Sequence, residues 1–85
     1  MVHTVRMGFE VHVVVDLKKA PSEALMSELD HRFEVAAHQL GTKQVEITEH
    51  VSVNDEADAI AFVRSLVDDA IPQGSKIAAI TATSD

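Results

Sequence analysis

The sequence lacks cysteine, tryptophan and tyrosine, and each absence excludes a kind of chemistry. Without cysteine the chain has neither a disulfide framework nor a thiolate for catalysis or metal binding, which is typical of proteins in a reducing compartment. Together with the lack of a secretory signal pattern in the first twenty residues, this leads us to expect the protein in the cytoplasm. Three phenylalanines are its only aromatic residues, so stacking platforms for single-stranded nucleic acid are scarce.

Long apolar runs and basic clusters are also missing. No stretch approaches the ~20 apolar residues of a membrane-spanning helix, and the first twenty residues show no signal-peptide pattern. The formal net charge is -7, and the lysines and arginines are scattered singly apart from Lys18 and Lys19. Nucleic-acid-binding proteins usually carry a basic patch. We therefore expect neither direct nucleic-acid binding nor association with a membrane.

What is present is the composition of one small folded domain, which we assign to residues 1–85. The 85 residues are 46% hydrophobic and 25% charged, as in ordinary globular proteins. A chain of this length buries only roughly 60–65% of its unfolded surface, so its core is thin and is often supplemented by oligomerisation. The abundance of alanine and valine with little lysine is typical of high-GC bacterial genomes and their phages.

Three segments have the pattern of β-strands. The first alternates apolar and polar residues from residue 8 or 9 to residue 17, and residues 1–7 either extend it or fray. The second alternates over 43–53 without a turn residue, which favours one strand, although a break near residues 48–50 would make it a hairpin. The third, at 76–83, has two partly apolar faces, which predicts a central position in the sheet.

Two segments with helical periodicity lie between these strands. Pro21 and Gly41 suit the start and the left-handed end of a first helix over about 21–40. A second helix over about 55–71 begins with carboxylates and has a wider apolar face. The apolar residues of the first helix form one narrow arc, which we predict to face the core: Leu25, Leu29, Phe33, Ala36 and Leu40.

The predicted order β-α-β-α-β indicates an α+β fold, a two-layer sandwich. Because the first two strands have a polar face, both helices should cover the other face of a three-stranded sheet. A hairpin in place of the second strand would give four strands, and the order would then resemble the split βαβ, or ferredoxin-like, arrangement. That superfold hosts many unrelated functions, so the resemblance concerns architecture alone.

Three residues of metal-ligating type, His31, Glu34 and His38, fall in the predicted first helix. They lie opposite its core arc, on the solvent side. His31 and His38 would be ~10.5 Å apart along the helix axis, whereas one ion needs ligand atoms ~2 Å from it. The spacing therefore favours a solvated helix face over a metal site.

A second group of candidate ligands lies on the helix-free face of the predicted sheet: His12, His50, Glu10 and Glu46, with Thr48 beside them. Side chains on neighbouring strands can approach within ~5 Å, which makes this the better candidate for a metal or small-molecule site. Polar residues on an open sheet face ordinarily meet water, and we expect no bound metal or cofactor. Histidines here would make self-association through the face sensitive to pH near about 6–7.

No motif in the sequence predicts catalysis. Carboxylate pairs such as Asp68 and Asp69 are sequence neighbours that point in different directions on a helix. No serine lies in a G-x-S-x-G or S-x-x-K context, and the glycines are isolated, so a phosphate-binding loop is absent as well. We therefore expect a non-enzymatic protein.

Three functions remain open. The first is a protein-interaction module, which we expect to be a homodimer. The apolar flank of the second helix could be a contact surface, although packing of this flank against the first helix is the simpler explanation. The second is an acidic inhibitor that mimics nucleic acid and covers a basic surface of its partner. The third is metal or small-molecule binding by the sheet-face group. The candidate contact residues for the first function are Ala59, Phe62, Leu66, His12, Thr48 and His50.

Overall fold

The computed structural model describes residues 8–84, so the two alternatives for residues 1–7 lie outside the described residues. It is a small α+β domain with an open four-stranded antiparallel sheet and two helices. Neither of these helices is long and apolar enough to cross a membrane. The elements are β1 (Gly8–Asp16), α1 (Glu23–Arg32), β2 (Val35–His38), β3 (Gln44–Ser52), α2 (Glu56–Ala70) and β4 (Lys76–Ser84).

The strand order is β2-β3-β1-β4, so β1 and β3 are central and β2 and β4 are the edges. The prediction that the third sequence strand is central is therefore wrong, because that strand is β4. Its helix-facing side carries Ile77 and Ile80, which pack against the core. Its other side carries Ala79, which is exposed. A hydropathy pattern counts this alanine as apolar, as it would a core residue. Small apolar residues on an open face do not identify a central strand.

The two alternating strands are confirmed, and their alternation builds the core. The odd-numbered residues of β1 are buried, whereas its even-numbered residues are exposed or half-buried. Val45 and Ile47 of β3 are buried beside them. Full burial of such a side chain contributes roughly 1.5–3 kcal/mol. Both helices cover this one face, since their buried residues belong to the same cluster: Leu29 from α1, Phe33 at its end, and Ala59, Val63 and Val67 from α2.

The predicted first helix over 21–40 is wrong in its second half. α1 begins after Ser22, whose hydroxyl accepts a hydrogen bond from the Leu25 N–H at 3.1 Å, and it ends at Arg32. Residues 35–38 leave the helix because their backbone groups pair with the outer side of β3. This tertiary pairing outweighs the helix propensity of the local sequence. Leu40, which we expected in the core, is 89% exposed.

The fourth strand therefore comes from the predicted helix and not from a break in the second strand. β3 runs unbroken over Gln44–Ser52, as the absence of turn residues predicted. Gly41 does have the expected left-handed backbone, with φ of 82°, but it lies in the β2–β3 loop and caps no helix. In that loop the Thr42 hydroxyl donates to the Gln39 carbonyl at 2.7 Å and accepts from the Gln44 N–H at 3.2 Å.

The second helix is confirmed as α2, with ends one residue inside the predicted ones. The Asp55 carboxylate accepts a hydrogen bond from the Asp58 N–H at 2.8 Å and so caps the helix start. At the other end Ile71 adopts an extended backbone immediately before Pro72, which cannot continue a helix. α2 lies against β4, β1 and β3, whereas α1 lies mainly against β2.

Candidate interaction surfaces

The first candidate surface is the outer edge of β4. Within residues 8–84 this side of the strand pairs with no other strand. The strand reads KIAAITATS, so Lys76 is its one charged residue, and it contains neither proline nor glycine. A register shift against β1 makes Ala78 an extra, bulged residue, and residues 79–84 are regular. Natural proteins usually protect such an edge with charges or prolines. Residues 79–84 contain neither, and no other strand within residues 8–84 covers their outer side, so this segment has the features of a template for strand pairing.

The other edge of the sheet differs in length and charge. β2 has four residues, and short edge strands offer little to pair with. Carboxylates stand close to it: the Glu34 N–H, just before β2, donates to a carboxylate oxygen of Glu49 at 3.0 Å. Glu46 lies opposite Ala37 in the β2–β3 register. Of the two edges, β4 is therefore the one suited to pairing.

The open sheet face brings the predicted histidine and glutamate residues together. In the β1–β3 register Glu10 lies opposite His50, and His12 lies opposite Thr48. Nε2 of His12 is 3.5 Å from a carboxylate oxygen of Glu46, and Nε2 of His50 is 3.5 Å from one of Glu10. These side chains are about half exposed, so solvent screens each pair and limits its contribution to stability to below about 1 kcal/mol.

Glu34 joins this group, which the sequence did not predict. Its carboxylate contacts Nδ1 of His50 at 2.5 Å, because Glu34 precedes β2 and does not lie on the outer face of a helix. His50 thus connects Glu10 of β1 with Glu34 across the sheet. The two carboxylates reach opposite nitrogens of the ring and do not converge on one point. Among the described residues no group of three or more potential ligands could hold a metal ion.

The other two predicted ligands, His31 and His38, are not on one helix. His31 lies in the last turn of α1, where a positive charge would suit the helix dipole. His38 lies in β2, and its Nε2 donates to the Thr42 carbonyl at 2.8 Å. His38 therefore stabilises the β2–β3 loop, and the structure does not bring the original trio together.

The predicted flank of α2 is only partly a surface. Phe62 is 52% exposed and Leu66 is 39% exposed, and the two lie one turn apart. Ala59, which we grouped with them, is fully buried in the core and cannot touch a partner. An exposed pair of this size is small compared with the contiguous apolar patches of established interfaces.

A cleft of about 350 Å³ lies between the β1–α1 and α2–β4 loops, and the sequence analysis missed it. Four of its lining residues stand out in the sequence: the Lys18–Lys19 pair, and the prolines Pro21 and Pro72, one in each loop. Nothing in a single sequence shows that these two loops meet, because they are some fifty residues apart.

Comparisons with protein-family models, curated proteins and solved structures found no significant match.

Proposed function

We propose that the chain is a non-enzymatic protein-interaction module that self-associates by pairing the β4 edges of two copies into one continuous antiparallel sheet. The observation that carries the proposal is the regular, uncharged edge at 79–84, whose outer side has no partner strand within the described residues. Strand addition at an open edge gives affinity through main-chain hydrogen bonds. Alternate side chains of the added strand supply the specificity.

We further propose that the architecture is ferredoxin-like. The element order β-α-β-β-α-β and the strand order β2-β3-β1-β4 support this assignment. The assignment describes the scaffold and does not by itself support the function, because this superfold carries many functions.

The charge of the protein favours β4 over other parts of the sheet. At a formal net charge of -7, two copies repel each other, so a stable contact has to avoid opposing carboxylates. The β4 strand contains none. The open face carries Glu10, Glu46 and Asp16, and the β2 edge is flanked by Glu34. Within the sheet, β4 is therefore the strip where two copies meet with the least repulsion.

Sedimentation equilibrium of the wild type and Thr81→Lys tests the proposal, with interference detection because the chain has no Trp or Tyr. Thr81 is exposed on β4, and lysine on an edge strand opposes strand pairing. The expected result is a dimer for the wild type and a dissociation constant at least about tenfold higher for the variant. The substitution changes the formal net charge from -7 to -6, so general repulsion falls and weaker association has to be a local effect.

Thr48→Lys is the matched control, since it adds the same charge on the open face of central β3. It should leave the dimer intact. Dimerisation lost in Thr48→Lys and retained in Thr81→Lys would contradict edge pairing and favour the open face. A comparison at about pH 7.5 and about pH 5.5 adds a second readout, because the pairing segment 79–84 contains no ionisable side chain. Edge pairing predicts no weakening at the lower pH. A monomeric wild type would refute self-association.

A further inference from the structure

The cleft between the β1–α1 and α2–β4 loops has the size and lining of a small-molecule site. Its volume of about 350 Å³ falls in the range of roughly 300–1,000 Å³ that ligand pockets occupy. Such pockets are predominantly apolar with a few polar groups that orient the ligand. Here the apolar lining comes from both loops and from α1: Leu17, Ala20, Pro21, Leu25 and Pro72.

The charged part of the cleft lining is cationic, and the neutral polar part comes from Ser22, Gln73 and Ser75. The charged part includes Lys18 and Lys19 and no carboxylate, in a chain with fourteen acidic residues. Within residues 8–84 neither ammonium group has an ion pair with a carboxylate. The nearest acidic residues along the chain, Asp16 and Glu23, line no part of it, and Asp16 accepts a hydrogen bond from the Gln44 amide at 2.9 Å. Two cations with no carboxylate partner among residues 8–84, beside an apolar lining, favour an anion that carries an apolar group.

The two loops are in contact with each other, and a hydrogen bond closes one of them. The Ser75 N–H donates to the Pro72 carbonyl at 3.1 Å, which closes the α2–β4 turn. Gly74 in this turn has φ of 90°, and a Cβ built on it would lie 2.2 Å from Cε of Lys18. The Lys18 side chain therefore crosses directly over Gly74 and connects the two loops. A site formed in advance loses less conformational entropy on binding.

We propose that this cleft binds a small amphipathic anion, with its apolar body against Leu17, Leu25 and Pro72 and a single carboxylate or phosphate head held by Lys18 and Lys19. The proposal is independent of self-association through β4, because the cleft lies at the sheet end where β4 begins and the pairing segment is 79–84.

Amide chemical-shift titrations with four probes test the site: octanoate, octyl phosphate, octanol and inorganic phosphate. The expected result is that octanoate or octyl phosphate shifts the amide signals of residues 17–20, 22–25 and 73–75. Octanol lacks the charge and inorganic phosphate lacks the apolar body, so each should bind at least about tenfold more weakly. Preference for octanoate over octyl phosphate, or the reverse, identifies the head group.

The Lys18→Gln/Lys19→Gln variant should weaken binding of the preferred probe at least about tenfold. Lys43→Gln is the control, because Lys43 lies at the same end of the sheet, where its carbonyl accepts from the Leu17 N–H at 2.9 Å, but does not line the cleft. It should leave the affinity within about twofold. Equal binding of octanol and octanoate, an equal loss in Lys43→Gln and in the double variant, or no shifts at the cleft would each overturn the proposal.

Discussion

Two glycines fix the turns at the end of the sheet where all four lysines lie. Gly41 has φ of 82° in the β2–β3 loop, and Gly74 has φ of 90° in the α2–β4 turn. Residues with a Cβ reach this region at a cost of roughly 1–2 kcal/mol. The surroundings of the two positions differ: a Cβ on Gly41 would meet nothing within 4 Å, whereas one on Gly74 would meet the Lys18 side chain.

Gly41→Ala and Gly74→Ala should therefore each lower the free energy of unfolding by about 1–2 kcal/mol, measured by urea unfolding followed by circular dichroism. The end of the flexible Lys18 side chain can move, so the contact at Gly74 should add little to this loss. The same movement should weaken binding of the preferred probe, octanoate or octyl phosphate, to the cleft in Gly74→Ala and not in Gly41→Ala. A variant that is as stable as the wild type would contradict a left-handed backbone conformation at that glycine.

The contacts on the open sheet face could be predicted only in part from the sequence. His12, His50, Glu10 and Glu46 could be placed on one face, because alternation fixes the side of a strand on which each residue lies. Their pairing needed only the β1–β3 register. The contribution of Glu34 could not be predicted, since it depends on where α1 ends and not on a pattern around Glu34 itself.

At the scale of elements, β2 is the one whose structure is decided from elsewhere in the chain. Ala36 and Ala37 have high helix propensity, and the spacing of Leu25, Leu29 and Phe33 continues a helical arc into them. The backbone nevertheless becomes extended at Phe33. The chain leaves the helix because the outer side of β3 offers backbone groups with which residues 35–38 pair. The Glu49 carboxylate also accepts a hydrogen bond from the Glu34 N–H. The sequence around residues 33–38 does not show that Glu49, fifteen residues after Glu34, will bind there.

Glu49→Ala should loosen β2 before the rest of the sheet. Loss of this one exposed hydrogen bond should lower the free energy of unfolding by about 0.5–1 kcal/mol. Hydrogen exchange of the β2 amides should become faster, while the β1 amides keep their protection. Glu49→Gln retains a side-chain oxygen as acceptor and should restore most of the protection. Unchanged exchange of β2 in Glu49→Ala would show that Glu49 does not hold this strand.

At the scale of the whole molecule, the two sheet edges are unequal. β2 is short and stands beside carboxylates, whereas β4 is long, has one charge at its start and is regular over 79–84. The sequence correctly predicted a strand at 76–83 but wrongly predicted a central position for it, whereas β4 lies at an edge. Strand order follows from the crossover connections, and a hydropathy pattern of alanine, isoleucine and threonine fits either an edge or a centre.

Amide hydrogen exchange of β4, resolved by residue in the wild type and in Thr81→Lys, tests edge pairing most directly. In an unpaired edge strand the amides that point away from β1 exchange quickly, whereas those that bond to β1 are protected. Edge pairing predicts that the outward amides of residues 79–84 are protected in the wild type and exchange quickly in Thr81→Lys. Fast exchange of these amides in a wild-type sample that sediments as a dimer would contradict it.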